Sequence, residues 1–291
     1  PVTGSIKNIP GKLDSPDKGW RSRFDKKDEH ATAGYYSVVL KDYRIKVELT
    51  ATERVGFQRY TFPESDNAHV IFDIGNRLGE SGNVRDAYIR QVDEHTLEGY
   101  VVTEPEYVKK YQTGATVSMF FYAKVNRSPL SVSVLYRGGR TSDGTEIKGS
   151  GAMMVLDYKT HDREKVDFKI GLSYTSIENA RHNLEKEASG VTFEKARTLA
   201  KKKWNEALSR IEVSGGTQES KIKFYTGLYH VLLGRGLASD VNGSYPTNSG
   251  EVGQIELNSD GTPKYNHYNT DAIWGGFWNL TQLWSLAYPE Y

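Results

Sequence analysis

A change of hydrophobic period near residue 176 constrains this chain more than any other feature. Before it, apolar residues recur at every second position; after it, they recur every three to four. Upstream, "YYSVVLKDYRIKVELTATERVGFQRYTF" (35–62) alternates through Val38 and Leu40, then Ile45, Val47 and Leu49. "HVIFDIG", "TLEGYVV", "ATVSMFFYAKV", "LSVSVLYRGG", "GAMMVLDY" and "VDFKIGLSYTS" follow, with turn-formers such as "SGN", "RSP" and "SDGT" between many of them. Successive strand side chains point to opposite faces, so this run predicts an antiparallel β-sandwich over 1–175, with no helix among its strands.

Downstream, the first three helical segments open on hydroxyl residues. Ser176 precedes Ile177, Ala180 and Leu184, which share one helical face. Thr192 precedes a stripe of Phe193, Ala196, Ala200, Trp204, Ala207, Leu208 and Ile211, with Glu194 in the positive first turn. "VSGG" (213–216) breaks the chain, and a third helix runs from Thr217 to a terminating Gly234. The expected organisation is a sandwich over 1–175, a helical linker over 176–212, and a further helical domain from 213. A polar Gly/Asn/Asp-rich loop precedes the last helix, Ala272 to Tyr288, which is apolar nearly all round: Ile273, Trp274, Phe277, Trp278, Leu280, Leu283, Trp284 and Leu286. Such a helix must be buried on several sides. Little sequence follows to bury it, so the chain is expected to be an internal piece of a longer one, with Trp274, Trp278 and Trp284 forming an apolar patch for other polypeptide to cover.

Composition removes several classes of function. Lys and Arg number 38 against 37 Asp and Glu, a net charge of +1, which gives no electrostatic footprint for nucleic acid or an anionic membrane. The "KKK" at 201–203 lies on a helix and reads as a solvated face. No apolar run is long enough to span a bilayer, and the chain does not open on a signal peptide. With 0 Cys there is neither disulfide nor thiolate chemistry. The content of 19 Tyr and 5 Trp suits stacking on sugar rings and equally suits the half-buried strand faces of a large β-domain.

Catalytic templates are sparse. None of the 7 His falls in an HxxxH or HExxH spacing, "DVNG" (240–243) lacks the spaced acids of a calcium loop and reads as a turn, and no nucleophile elbow is present. The cluster that stands out is Asp271, Trp274 and Trp278, a carboxylate and two indoles on one helix face. It reads in two ways: as a sugar-binding floor, or as a helix cap with two core tryptophans.

Several long stretches resemble glycoside hydrolase family 92: "GWRSRFDKKDEHATAGYYSVVLKDYRIKVELTATERVGFQRYTFP", then "KIGLSYTSIENARHNLEKE", "KWNEALSRIEVSGG" and "KIKFYTGLYHVLL…SDVNGSY", in the family's order. The resemblance runs from Gly4 to Glu290. It implies an N-terminal β-sandwich, a helical linker and the first helices of an incomplete (α/α)6 barrel. It also implies part of an exo-acting α-mannosidase, exported by a bacterium to the periplasm or medium. Such an enzyme cleaves terminal α-mannosides of N-glycan or mannan type, α1,2-linked ones foremost, with inversion and with calcium engaging the sugar. On this resemblance no catalytic carboxylate and no metal ligand lies in the chain. The acid, the base and the calcium ligands are expected beyond residue 291, which leaves this piece inactive alone. Where the family carries "WDTYR" or "WDTFR", alignment on Trp274 puts Gly275 at the sugar-contacting Asp and Trp278 at the Arg, so Asp271, one turn earlier, is the candidate replacement. His230 and Asp240 fall at family positions expected to hold the loop after the third helix. The reading from another class is a non-catalytic carbohydrate-binding β-sandwich module.

Overall fold

A computed structural model describes residues 1–77, 81–136, 141–233, 236–269 and 273–290; the side chains of 107, 141–143, 273 and 274 are outside the description. Among the described residues the first part is a two-sheet antiparallel sandwich, as the alternation predicts. One sheet has nine strands, ordered Glu146–Lys148, Asn83–Asp93, Thr96–Glu104, Val117–Val125, Glu164–Ser173, Val55–Phe62, Ile45–Ala51, Tyr35–Leu40 and His30–Thr32. The other has five, ordered Val2–Thr3, Ser65–Asp73, Ala152–Thr160, Ser131–Tyr136 and Thr141–Asp143. Between them lies the main core, where Ile45, Val47, Tyr60, Phe62, Val166 and Phe168 of the larger sheet meet Val70, Met154, Leu156 and Tyr158 of the smaller.

Besides the 3-10 turns Pro16–Lys18 and Lys26–Asp28, one α-helix among the described residues interrupts the strands, contrary to the expectation of none: α1 (Glu106–Tyr111). Its six residues follow Pro105, and one and a half turns are too short to register as a helical period. The remaining helices are α2 (Ile177–Ala188), α3 (Phe193–Leu208), α4 (Gln218–Leu232) and α5 (Ile273–Ala287). The first three start where their caps predict, with the hydroxyls of Ser176, Thr192 and Thr217 accepting from the backbone N–H groups of Asn179, Lys195 and Ser220.

Helices α2 and α3 lie on the sandwich itself. In the strand Val55–Phe62, Tyr60 and Phe62 face the core, whereas Val55 and Phe57 face outward and pack with Tyr35 and Tyr122 against Ala180 and Leu184 of α2 and Phe193 and Ala196 of α3. The larger sheet is therefore buried on both faces. Gly171 permits the close approach of α2: a Cβ there would sit 2.2 Å from the carbonyl oxygen of Ala180. Arg59 fixes α3. Its Nε and Nη2 donate to the two carboxylate oxygens of Asp167 at 2.8 and 2.7 Å, its Nη1 donates to Glu194, and its guanidinium lies 4.5 Å from the centre of the Phe193 ring. This fork matches a carboxylate bidentately while bridging the sheet to the first turn of α3.

Candidate functional site

The chain between α4 and α5 is read from sequence as one long polar loop. Folded, it contains two short ribbons, Gly236–Leu237 paired with Tyr268–Asn269 and Ser244–Pro246 paired with Val252–Gln254. "DVNG" is the turn it was expected to be: Gly243 N–H donates to the Asp240 carbonyl at 2.9 Å, and Gly243 supplies the positive φ of 85°.

Two polar centres fasten this loop to the end of the sandwich. The first is Asp240, 2% exposed. One of its carboxylate oxygens accepts from Ser173 Oγ at 2.9 Å and Thr175 Oγ1 at 2.5 Å; the other accepts from Asn183 Nδ2 at 2.7 Å. Asn183, fully buried on α2, also donates to the Leu172 carbonyl at 2.7 Å and accepts from Val241 N–H at 2.9 Å. Every donor around Asp240 belongs to the last strand of the sandwich, the turn after it, or α2, so its role is to hold the loop. His230 does not share that role: its side chain is exposed near the end of α4 and meets the Tyr229 ring.

The second centre is Arg54, in the turn before the strand Val55–Phe62. Its Nη1 donates to Glu187 of α2 at 2.9 Å, its Nε to the Ser239 carbonyl at 2.7 Å, and its Nη2 to Asn266 Oδ1 at 3.2 Å. Glu187 closes the same turn by accepting from Thr52 Oγ1 at 2.5 Å and from Arg54 N–H at 3.0 Å. One guanidinium thus ties the sandwich, α2 and both ends of the loop together. Beyond it, His267 N–H donates to Ser239 Oγ at 3.0 Å, and the Tyr245 and His267 rings stack with centroids 4.5 Å apart.

The anchored loop leads into α5. Trp278 is 74% exposed and stacks on Phe277, itself 61% exposed, with ring centres 5.1 Å apart. This presents a flat aromatic surface to solvent, the shape that a pyranose face covers. Asp271 lies outside the described residues; Trp274 belongs to α5 by its backbone, with its side chain outside the description. Of the predicted trio, Trp278 alone is therefore placed, and it is no core residue. Trp284 behaves differently from the expectation that it joins an exposed patch: it is 6% exposed, packed with Leu228 of α4 and Tyr288. The Tyr288 hydroxyl closes this helical cluster by donating to the Ala207 carbonyl at 2.9 Å. The open face of α5 is that of Phe277, Trp278 and Leu286.

A recess of about 530 Å³ lies between the turn at Thr52–Glu53, α3 and the end of α4. Trp204 and Leu199 line it, and the Lys203–Glu53 ion pair sits at its rim. Trp204 is braced by the Tyr229 ring at 4.7 Å. No three acidic or histidine side chains converge as metal ligands among the described residues.

These features define a two-sheet sandwich that carries helices on one outer face and passes by an anchored loop into a helical cluster with exposed indole. Residues 1–173 match the glycosyl hydrolase family 92 N-terminal domain, and residues 179–291 match the glycosyl hydrolase family 92 catalytic domain. The chain belongs to glycosyl hydrolase family 92. Its fold superposes, with a TM-score of 0.88 at 26% identity over 100% of its length, on a family GH92 α-mannosidase from Bacteroides thetaiotaomicron, a protein also solved in complex with mannoimidazole. An inverting mannosidase of the same family from Bacteroides thetaiotaomicron VPI-5482 shares the fold at 20% identity over 94% of the chain, with a TM-score of 0.74. An uncharacterized secreted glycosidase of the fungus Arthroderma benhamiae is 25% identical over 70% of the chain. The chain spans 38% of the first of these structures, 35% of the second and 28% of the fungal protein.

Proposed function

We propose that the protein containing this chain is an exo-acting α-mannosidase that hydrolyses terminal α-mannosides of N-glycan or mannan type, α1,2-linked ones foremost. The observation that carries this reading is the match over the whole chain, at a TM-score of 0.88, to an α-mannosidase that has been solved with mannoimidazole. Residues 1–175 brace the site, 176–212 link, and 213–291 begin the catalytic barrel. Trp278 and Phe277 offer the sugar an apolar face, and we assign Asp271 and Trp274 to the same sugar site. Arg54 and Asp240 position the loop that leads to it. Further polypeptide of the enzyme covers the rest of the open face of α5, around Leu286.

The reaction we propose is inverting. It needs two carboxyl groups far enough apart to admit the attacking water, and we assign neither to a residue of this chain. Calcium, the cofactor we propose, requires a cage of several oxygen ligands. Among the described residues no three acidic or histidine side chains converge to hold one. Export to the periplasm or medium agrees with the secreted fungal relative. Among the described residues no helix is long and apolar enough to cross a membrane.

The test is to incubate the intact protein with an aryl α-mannoside and follow the released sugar by proton NMR. The expected result is β-mannose as the first product, with turnover abolished by a chelator and restored by calcium. Absence of mannose release from α-mannosides of any linkage overturns the reading.

A further inference from the structure

At the end of the larger sheet away from the loop, the outer face carries a groove of about 790 Å³ walled by α3. Six cations line it, Lys46, Arg59, Arg163, Lys165, Arg197 and Lys201, against two carboxylates, Glu48 and Glu194. The whole chain, with a net charge of +1, has no such excess.

Internal pairing absorbs part of this charge. Arg59 is saturated by Asp167 and Glu194, and Lys46 lies 3.2 Å from Glu48. Arg197 lies over the Tyr35 ring, 3.6 Å from its centre, and Arg163 is 3.9 Å from a largely exposed Asp162. Lys165 and Lys201 are both exposed.

The register makes the site. Lys46 and Lys165 are each opposite Thr61 on neighbouring strands, so Lys46, Thr61 and Lys165 form one cross-strand row. At about 4.8 Å per strand, the two lysine backbones stand roughly 10 Å apart with a hydroxyl between them. Lys201 and Thr198 of α3 face this row across the groove. Flexible ammonium arms at that separation can close on one compact oxyanion, with threonine hydroxyls as further donors. A concave site of one sign also focuses its field on such a ligand.

We propose that this groove binds phosphate or sulfate ester groups carried on the glycans the enzyme processes. The proposal rests on the glycoside-hydrolase reading for the carrier, and on the charge, register and concavity described above for the anion. The groove lies roughly 20 Å along the strand Val55–Phe62 from the Arg54 centre, so it would hold an anionic branch of a glycan while another branch is cleaved.

The experiment measures binding of the intact protein to neutral, phosphorylated and sulfated mannan of matched length, and its hydrolysis of a neutral aryl α-mannoside. The expected result is about tenfold tighter binding of one or both anionic mannans at low salt, lost as added salt screens the exposed charges. The double variant Lys165→Glu/Lys201→Glu removes that preference and leaves turnover of the neutral mannoside unchanged. Lys165→Gln/Lys201→Gln, which introduces no repulsion, reduces it part-way and serves if the first variant does not fold. Comparing the two anionic mannans assigns the ester. Equal binding of all three mannans by a protein that cleaves the neutral mannoside overturns the anion site. Loss of cleavage itself overturns the function reading instead.

Discussion

Arg54 is the residue on which the junction depends most, and Arg54→Ala is its direct test. The side chains of Arg54 and Glu187 are only 10% and 13% exposed, so the pair is largely withdrawn from water. Truncation strands the Glu187 carboxylate in that setting and removes the donors to the Ser239 carbonyl and Asn266. Breaking a buried pair by deleting one partner costs about 3–5 kcal/mol. Glu187 keeps Thr52 Oγ1 and the backbone N–H of residue 54 as donors, which places the cost at the lower end, ~3 kcal/mol. With a urea m-value of about 3 kcal/mol/M for a protein of this size, the unfolding midpoint falls by about 1 M. Arg54→Lys keeps the charge but cannot reach Glu187, Ser239 and Asn266 together, so its midpoint lies between those of wild type and Arg54→Ala. Hydrogen exchange supplies the local readout: amides of 239–243 and 266–268 should exchange faster in Arg54→Ala, while those of the strands Ala152–Thr160 and Ser65–Asp73 change least. A midpoint shift below about 0.2 M, with unchanged exchange in both loop segments, would refute the clamp.

Four further substitutions separate structural roles from functional ones. Asp240→Ala leaves the fully buried Asn183 amide short of an acceptor and should cost about 1–3 kcal/mol in urea unfolding. Gly171→Ala places a methyl against the Ala180 carbonyl and should destabilise by about 1–3 kcal/mol as α2 moves off the sheet, visible as a lower melting temperature. Trp278→Ala, at an exposed site, should leave stability within about 0.5 kcal/mol of wild type yet weaken α-mannoside binding by the intact protein, measured by calorimetry. Burial alone would raise the Asp157 carboxyl, but hydrogen bonds from His69 and Ser131 outweigh it and hold the group below the usual carboxylate range. A depressed folded pKa contributes stability above the ordinary carboxylate pKa and loses it as pH falls through the folded value, so Asp157→Asn should flatten the acid limb of stability against pH.

What could be read from sequence follows from the range of the interactions involved. Ser176, Thr192 and Thr217 act on backbone N–H groups three residues ahead, so they marked three helix starts correctly. Strand alternation likewise located the sandwich, because Val38, Ile45 and Val47 needed only their own parity to be placed in the core. Parity could not say what the opposite face met. Val55 and Phe57 are as apolar as their neighbours, and their partners on α2 and α3 lie more than a hundred residues away in sequence. Arg54 and Arg59 carried no sequence signal for the same reason: their acceptors, Glu187, Asn266, Asp167 and Glu194, are remote in the chain. The last helix shows the converse limit. When both faces of a helix are apolar, its wheel carries no information about which indole is covered, so Trp284 and Trp278 could not be told apart until Leu228 and Tyr288 were placed. That asymmetry gives the exposed indole its meaning. The same short helix buries one tryptophan under its neighbours and presents the other, stacked on Phe277, where the anchored loop delivers the chain. Trp278 is thus free to meet a ligand or further polypeptide, and the paired stability and binding measurements on Trp278→Ala distinguish these roles.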